Sequence, residues 1–569
     1  MDGVGKDEKN SDEDKDSSLR DILGNFASST TAHGCERIDK STSTIARVIW
    51  ATIFIGCTIA AIVCIAALLE KYFQYPSKDV YEMNSDKIEF PSISFCSLKP
   101  IVSSYKKRVA KMEPGNPYME IDKAIKNIDG VLDYLSQENN TQNNLYQRLK
   151  EMYYLFASYT SMYIHATDET RSLGHQLEDL LLSCKVNMMS CVNMPDVKIK
   201  QFDNALYWNC YTFNWKDYNT TGESEPYVEM VGGLSGFQAT FFLDNIDTLE
   251  SYYNPMCPID GSVGAKLIIH RPGSRPDPLR EGLEVPVGFS TNVAVSKKKR
   301  ELIGQPWGDC ENREKLDGAP YRYDQANCER GCQQKEIVKK CGCVSPWLPV
   351  SDEQKNISWC GKFNLDNFNS ASPNLTILDK DLIPFECHMM MTKMTPNVTE
   401  CDCPPACENH MYEYKTSQSQ WLLGGNRLNF YQSVVNRMGD SYINSSMYHL
   451  LDAALNSNDS AENFKNRNLV SQNFLRVNIF FDSMHTDLIR RVEEYTFTDM
   501  ISGVGGGFGV YVGFSIVTMC EFVVLFASLV TALIQRYGLR QNKVAMESAP
   551  THVHIIHVKH ANNHLADVD

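Results

Sequence analysis

The sequence predicts a mixed α+β membrane protein with two transmembrane helices and a large disulfide-rich ectodomain between them. Two long apolar segments, Val48–Leu69 and Val504–Ile534, lie near the two ends of the chain, and the second is broken only by Glu521. A helix needs about 20 apolar residues to cross a bilayer, so each segment is long enough. Fifteen of the 19 cysteines lie between the segments. Strand-like and helix-like stretches alternate there, which predicts a central sheet carrying helical excursions.

Basic residues flank both apolar segments on the sides that face the chain ends. They are Arg37, Lys40, Arg47, Arg536, Arg540 and Lys543. The positive-inside rule therefore predicts that both termini are cytosolic. The first 46 residues are polar and no small-residue cleavage site follows the first apolar segment, so this segment is predicted to be an uncleaved signal anchor. The predicted organisation is a cytosolic tail (1–47), a transmembrane helix (48–70), an ectodomain (71–500), a second transmembrane helix (501–535) and a cytosolic tail (536–569) of a plasma-membrane protein.

Glycosylation triplets agree with this topology. Seven Asn-x-Ser/Thr triplets begin at Asn139, Asn219, Asn356, Asn374, Asn397, Asn444 and Asn458, all between the apolar segments. The density of cysteines in the same region is typical of a disulfide framework formed in the secretory pathway. Free thiols are predicted in the cytosolic and membrane segments at Cys35, Cys57, Cys64 and Cys520.

The predicted secondary structure follows from the periodicity of apolar residues. Helices are clearest at Leu145–Tyr163 and Ser172–Leu182, and cysteine-rich helices are predicted from 324 to 408. Strands are predicted at IEFPSISF (88–95), YVEMV (227–231), GFQATFFL (236–243), AKLIIH (265–270), VAVS (293–296), FLRVNIFF (474–481) and TDLIRRVEEYTF (486–497). Residues 1 to about 30 are rich in Asp, Lys, Ser and Gly and are predicted to be disordered.

Two pairs of cysteines have spacings that place each pair on one face. Cys328 and Cys332 are four residues apart, as neighbours on a helix are, and Cys401 and Cys403 are two apart, as neighbours on one face of a strand are. A helix beside an extended segment would form two parallel disulfides. Four thiolates would also suit zinc, but the oxidising compartment favours disulfides and no resident metal or cofactor is expected.

Four motifs, in order along the chain, resemble those of the degenerin/epithelial sodium channel superfamily. They are FPSISFCSLKP (90–100), CERGCQQKEIVKKCGC (328–343), CDCPPACENHMYEYKTSQSQW (401–421) and GGGFGVYVGFSIVTMCE (505–521). The resemblance covers residues from about 30 to 536 and implies a trimeric cation channel whose ectodomain has finger, thumb and knuckle regions. The permeant ion would be Na⁺, and amiloride would block the pore.

The resemblance also implies a disulfide connectivity that spacing alone does not give. The implied pairs are Cys96–Cys210, Cys184–Cys191, Cys310–Cys407, Cys328–Cys403, Cys332–Cys401, Cys341–Cys387 and Cys343–Cys360. Cys257 is left over, as a free thiol or as a departure from the family pattern.

The glycine-rich second apolar segment matches the pore motif of the superfamily. Gly513, Phe514 and Ser515 occupy the positions of its selectivity filter, where an interrupted helix turns backbone carbonyls toward the pore. Such backbone is tolerated at membrane depth only where it lines a cavity. Gly509 and Glu521 are interpreted as pore-lining, although glycines also serve helix packing and Glu521 could accept a structural hydrogen bond instead.

Gating residues are assigned by the same resemblance. His33 and Gly34 match the His-Gly pair before the first span, and Ser502 stands where the family has a small residue at the pore mouth. Tyr75 and Trp307 match an aromatic contact that would couple the span to the thumb. Without the resemblance, His33 would be a solvated histidine, and interfacial anchoring would be an equal alternative for Tyr75.

Residues outside these motifs predict the stimulus that opens the channel. Pro76 and Ser77 stand where the acid-sensing branch has histidines, and the C-terminal tail lacks the Pro-Pro-x-Tyr motif of the epithelial branch. The segment GHQLEDLLLSC (174–184) resembles the finger helix of invertebrate channels gated by FMRFamide-type peptides. The predicted partner is therefore an extracellular amidated neuropeptide, besides membrane lipid and two further copies of the chain. A constitutive epithelial-like channel and an acid-gated or mechanically gated channel are the alternatives.

Other functional classes fit less well. A net charge of −15 disfavours a nucleic-acid partner, and no arrangement of residues typical of an enzyme is present. An ATP-gated receptor would need another cysteine order, and a non-conducting receptor would not need the filter motif. The run Lys297–Arg300 is interpreted as a solvated strand-turn rather than a protease site. The histidine-rich tail (552–564) is interpreted as disordered, with a metal-binding tract as the alternative.

Overall fold

The α+β architecture predicted from the sequence is confirmed. The computed structural model of the chain describes residues 13–32, 34–85, 87–99, 129–136, 144–150, 174–191, 198–204, 206–216, 227–228, 230–244, 262–360, 375–393, 401–421, 430 and 471–547. It divides into two compact units. One comprises Met1–Ser77 with Glu493–Asp569, and the other comprises Lys78–Val492.

The first unit is helical and contains both candidate membrane spans. Its helices are α1 (Glu13–Ser29), α2 (Cys35–Asp39), α3 (Thr44–Phe73), α7 (Phe497–Val512) and α8 (Ile516–Glu547). Long apolar stretches of α3 and, in α8, of Ile516–Ile534 are suited to crossing a membrane. At 1.5 Å per residue, the 30 residues of α3 extend about 45 Å, which exceeds the ~30 Å hydrocarbon core. Most of their large apolar side chains are exposed, as lipid-facing residues would be.

The prediction of disorder before residue 30 is wrong for α1. Its apolar side chains have a partner that composition does not reveal: the Phe26 ring packs edge-on against Phe522 of α8, with centroids 4.9 Å apart. A short amphipathic helix gains most of its stability from such tertiary packing rather than from intrinsic propensity. The N-terminal segment therefore becomes ordered against the second span.

The second unit is built around two sheets. The seven-stranded sheet has the order β11-β10-β12-β7-β3-β4, with β1 also paired to β12, and the five-stranded sheet has the order β5-β6-β2-β8-β9. The strands are β1 (Ser77–Asn84), β2 (Ser92–Ser97), β3 (Leu181–Val186), β4 (Met189–Ser190), β5 (Ile199–Asn204), β6 (Trp208–Phe213), β7 (Phe237–Phe242), β8 (Gly264–His270), β9 (Leu283–Pro286), β10 (Phe289–Glu301), β11 (Glu408–Gln420) and β12 (Phe474–Glu493).

The core of this unit lies between the two sheets. Phe95 of β2 packs against Phe241 of β7 with ring centroids 5.0 Å apart, and Phe213 of β6 packs against Phe237 at 4.8 Å. All four side chains are essentially inaccessible to solvent. Alternating apolar residues on both inner faces produce this interdigitated layer. The remaining helices of the unit are α4 (Leu177–Leu180), α5 (Gln325–Cys341) and α6 (Leu375–Lys393), and residues 129–136 and 144–150 are also helical.

Three further secondary-structure predictions need correction. The helix predicted at Ser172–Leu182 is a single turn, α4, followed by β3, because Leu181–Val186 pairs with β7 and this tertiary pairing outweighs local propensity. The predicted strand at 227–231 is reduced to an isolated bridge between Tyr227 and Glu89. The two strands predicted from 474 onward form one continuous strand, β12.

The basic run Lys297–Arg300 is strand rather than turn, and it is only partly solvated. It lies inside β10, which pairs with β11 on one side and β12 on the other. Lys297 is only 7% exposed, and Lys298 forms an ion pair of 2.7 Å with Glu413. A protease needs an accessible extended segment, so the double pairing also disfavours the cleavage-site alternative.

Candidate functional site

The second apolar segment is interrupted at the predicted filter. Helix α7 ends at Val512, residues 513–515 are not helical, and α8 begins at Ile516. Gly513 has a φ of 65°, in the left-handed region that glycine adopts at low cost, and its N–H donates to the Gly509 carbonyl at 3.0 Å. The last carbonyls of a helix lack intrahelical partners and carry partial negative charge. The end of α7 is therefore suited to a cation.

Ser515 caps the next helix from within the filter motif. Its N–H donates to the Thr518 hydroxyl at 3.1 Å, and the Thr518 N–H donates to the Ser515 hydroxyl at 3.2 Å. This reciprocal arrangement satisfies backbone donors at the start of α8. Phe514 lies beside two aromatic rings, Phe508 at 5.5 Å and Phe522 at 5.7 Å between centroids. The backbone of the interruption is thus held on both sides.

Glu521 is tied to the segment that follows α1. One carboxylate oxygen accepts from the Thr30 hydroxyl and the Thr31 N–H, each at 2.9 Å. The Thr31 hydroxyl also lies 2.6 Å from the hydroxyl of Thr518, which is fully buried. These contacts match the alternative in which Glu521 accepts structural hydrogen bonds instead of lining the pore. Its pore-lining role stays a prediction.

The hydrogen bonds around Thr518 connect the filter to the N-terminal segment. Ser515, Thr518, Thr31 and Glu521 form one continuous chain of contacts. Sequence reasoning missed Thr30, Thr31 and Thr518. The Ser-x-x-Thr spacing of 515 and 518 is a recognisable capping signal, whereas nothing local indicates a partner some 490 residues away.

The two faces of α7 differ in what they contact. A side chain at Gly503 would meet Leu68 of α3 at 3.1 Å, and Gly507 faces Ile65. By contrast, Gly505, Gly506 and Gly509 have open space beyond their Cα atoms, and Ser502 on the same side is exposed. One face therefore packs on the first span within the chain, while the face of Ser502 and Gly509 is left uncovered.

Only one residue of the predicted N-terminal gating motif, Gly34, lies in the described part of the chain. His33 lies outside the described residues. Gly34 has a φ of 98° and precedes α2, and a side chain there would approach Phe54 of α3 at 3.2 Å. The backbone conformation favours glycine, and a larger residue would also make Phe54 shift by a few tenths of an ångström. The role of this pair in gating stays a prediction.

The two residues of the predicted aromatic contact, Tyr75 and Trp307, belong to different units. Tyr75 follows α3 in the first unit and has a φ of 50°, which is uncommon outside glycine. Its ring lies 6.1 Å from that of Tyr72. Trp307 belongs to the second unit. The contact between Tyr75 and Trp307 stays a prediction.

The cysteines join in the pairs that the resemblance implies. The structure contains the disulfides Cys96–Cys210, Cys184–Cys191, Cys310–Cys407, Cys328–Cys403, Cys332–Cys401, Cys341–Cys387 and Cys343–Cys360. Two of them tie α5 to residues 401–403. Cys35, Cys57, Cys64 and Cys520 are free, whereas Cys257 lies outside the described residues. Within the described ranges, no cluster of three His, Cys, Asp or Glu side chains could hold a metal ion.

We expect Cys332→Ala to lower surface expression and expose Cys401 to thiol reagents. Cys332 and Cys401 are 69 residues apart in sequence, and losing a native disulfide typically costs about 2–5 kcal/mol. Cell-surface biotinylation and maleimide labelling measure the two effects. In the double variant Cys332→Ala/Cys401→Ala, the extra labelling should disappear while expression stays low. Stoichiometric zinc in the wild-type protein, lost in Cys332→Ala, would contradict the disulfide assignment.

One of the seven glycosylation triplets lies in the described part of the chain. Asn356 is exposed, as an acceptor must be. Asn139, Asn219, Asn374, Asn397, Asn444 and Asn458 lie outside it, as does the histidine-rich tail. Their modification stays a prediction.

Four ectodomain histidines are held neutral by burial. Desolvation lowers the pKa of His175, His270, His388 and His410 to about 4. At His410 the neighbouring Arg271 lowers the pKa further, against the opposing effect of Glu408. Since each folded-state pKa lies below the unfolded value, these groups reduce stability as the pH falls from about 6.5 toward 4. They are poorly suited to sense mild acidification.

Comparisons with known proteins point to one family. The sequence profile described as amiloride-sensitive sodium channel matches residues 26–525. The FMRFamide-activated amiloride-sensitive sodium channel of Cornu aspersum is 26% identical over 552 residues, which cover 89% of this chain and 82% of that protein. The bile acid-sensitive ion channel of Mus musculus is 23% identical over 88% of this chain and 86% of that protein. The degenerin deg-1 of Caenorhabditis elegans is 24% identical over 63% of this chain, a match that spans 40% of that protein.

Proposed function

Because the chain belongs to the amiloride-sensitive sodium channel family, we propose that it forms a homotrimeric, sodium-selective channel opened by an extracellular amidated neuropeptide of the FMRFamide type. Members of this family are ion channels rather than enzymes. The observation that supports conduction best is the helix interruption at Gly513–Ser515 within an apolar segment. Backbone carbonyls there would replace part of the hydration shell of Na⁺.

Assembly around the uncovered face of α7 would complete the pore. Ser502, Gly505, Gly506 and Gly509 share that face and have no packing partner in the described chain. Small residues let helices approach closely, so three copies could bring these faces together around an axis. Glu521 would then stand below the filter, with its carboxylate fixed by Thr30 and Thr31 while it attracts cations.

Peptide gating is supported by the relative from Cornu aspersum, which is named for activation by FMRFamide. The four buried histidines described above would not be protonated by mild acid, so they do not supply an acid sensor. An arginine-containing peptide also suits the net charge of −15, because opposite charges speed encounter. The peptide must bind the open conformation more tightly than the closed one, since only differential affinity shifts the equilibrium.

The test applies an FMRFamide-type peptide and, separately, acid steps to pH 6 and pH 5 to cells that express this chain alone. We expect the peptide to evoke an inward current that amiloride blocks, and acid to evoke little. The same peptide with a free C-terminal carboxylate is the matched control and should be much weaker.

Three other outcomes would each contradict peptide gating. A large current to acid with none to peptides would favour an acid-gated channel. A steady amiloride-sensitive current without ligand would favour the epithelial-like alternative. Normal surface expression without current under any of these conditions would favour a non-conducting receptor.

A further inference from the structure

A sizeable cavity lies in the second unit between the first turns of α5 and the five-stranded sheet. It has a volume of about 600 Å³ and is bounded by the end of β5, residues 275–278, the N-terminal half of α5 and the loop of 344–359. Small-molecule sites typically enclose about 300–1,000 Å³. Trp347, Trp359 and Tyr321 contribute aromatic surface to the wall. The size and lining suit a compact organic molecule.

Two of the charges in this wall neutralise each other. Arg330 donates to the Asp277 carboxylate and to the Trp347 carbonyl, and both charged side chains are largely buried. A buried ion pair of this kind is satisfied internally. It fixes the loop of 275–278 against α5 and leaves no net charge for a ligand.

Arg275 is the exception, since the third cation of the wall, Lys355, pairs with Asp352 at 2.6 Å. In the part of the chain that the structure describes, its guanidinium makes no hydrogen bond or ion pair, although Asp203 also lines the cavity. Burial lowers the pKa of Arg275, and the opposing contribution comes from the Tyr321 hydroxyl rather than from a carboxylate. The Arg275 side chain is only partly exposed, and a partly desolvated cation without a counter-ion is unfavourable. An anion that entered the cavity would relieve this cost.

We propose that this cavity binds a small organic carboxylate, with Arg275 donating to both carboxylate oxygens and the apolar body lying against Trp347 and Trp359. The planar guanidinium matches a carboxylate in a bidentate geometry that a lysine cannot reproduce. Indole surfaces supply the apolar contact. The cavity belongs to the second unit and the filter motif to the first. The proposed occupant differs in charge from an amidated, arginine-containing peptide.

The test measures binding of 2-naphthoate to the purified full-length protein by calorimetry, with 2-naphthamide as the uncharged analogue. We expect saturable binding of the carboxylate and little binding of the amide. Arg275→Gln should weaken naphthoate binding about tenfold or more, since it removes a charge-assisted bidentate contact. Arg275→Lys should weaken it less. Arg280→Gln, an exposed arginine on the following turn, should leave the affinity unchanged.

Several results would overturn the proposal. They are the absence of naphthoate binding to the wild-type protein, equal binding of the amide, or an unchanged affinity in Arg275→Gln. Binding of chloride or phosphate, measured by the same calorimetry, without binding of naphthoate would indicate an inorganic anion site instead. If Arg275→Gln does not fold, an affinity in Arg275→Lys equal to that of the wild type would be equally contrary. All of these readouts are independent of whether a peptide opens the channel.

Discussion

Replacing Ser502 with phenylalanine is expected to produce a large amiloride-sensitive current in the absence of any ligand. Ser502 lies on the uncovered face of α7, so a larger side chain there meets no obstacle within its own subunit. In the proposed trimer, three copies of this residue converge at the closed pore mouth. Overpacking such a site costs about 1–3 kcal/mol, and that much closed-state destabilisation changes the open-to-closed ratio by about 5- to 150-fold.

Side-chain size can be separated from other effects at this position. Ser502→Ala removes the hydroxyl while keeping the side chain small, and it should leave the basal current near that of the wild type. Ser502→Cys should behave similarly until a methanethiosulfonate reagent adds bulk, after which the current should rise in the same cells. Whole-cell recording before and after the reagent measures both. If basal current and peptide sensitivity stay normal in Ser502→Phe, the gate lies elsewhere.

Features encoded by local sequence were predictable. Apolar segments of sufficient length identified both spans, whereas the interruption between α7 and α8 was predicted from the resemblance of residues 513–515 to the filter motif of the superfamily. These residues act through their own backbone preferences, namely a positive φ and a helix cap. The placement of Cys328 and Cys332 on one helix face likewise followed from spacing. The choice of disulfide partners did not, and it came from the resemblance to the superfamily.

Features that depend on distant partners were missed. Helix α1 forms in a polar segment because Phe26 packs against Phe522, and Thr31 binds Glu521 from the other end of the chain. The leucines at 180–182 suit a helix or a strand equally, and pairing with β7 decides between them. The proposed organic-anion cavity depends on Arg275 having no carboxylate partner among the described residues. Local sequence could not have revealed this either.

Changes at Gly513 and Ser515 are expected to abolish current or to remove the preference for Na⁺ over K⁺. An alanine at Gly513 would have to adopt a left-handed conformation that costs about 1–2 kcal/mol. Valine at Ser515 would lose the hydroxyl that accepts from the Thr518 N–H. Both changes alter the backbone whose carbonyls are proposed to contact the ion. A change of about 1.4 kcal/mol in the difference between the binding free energies of Na⁺ and K⁺ changes the permeability ratio about tenfold.

Ser515→Thr is the matched variant that distinguishes an effect on the selectivity filter from an effect on folding. Threonine is nearly isosteric with valine but keeps the hydroxyl, so it can preserve the reciprocal bonds with Thr518 at the start of α8. Losing a single cap costs about 1 kcal/mol, too little to prevent folding, so surface biotinylation should be similar for all three variants. We expect reversal potentials in Na⁺ and K⁺ solutions to shift strongly in Ser515→Val and Gly513→Ala and least in Ser515→Thr. Unchanged selectivity in all three would place the filter outside residues 513–515, and the helix interruption would then serve packing alone.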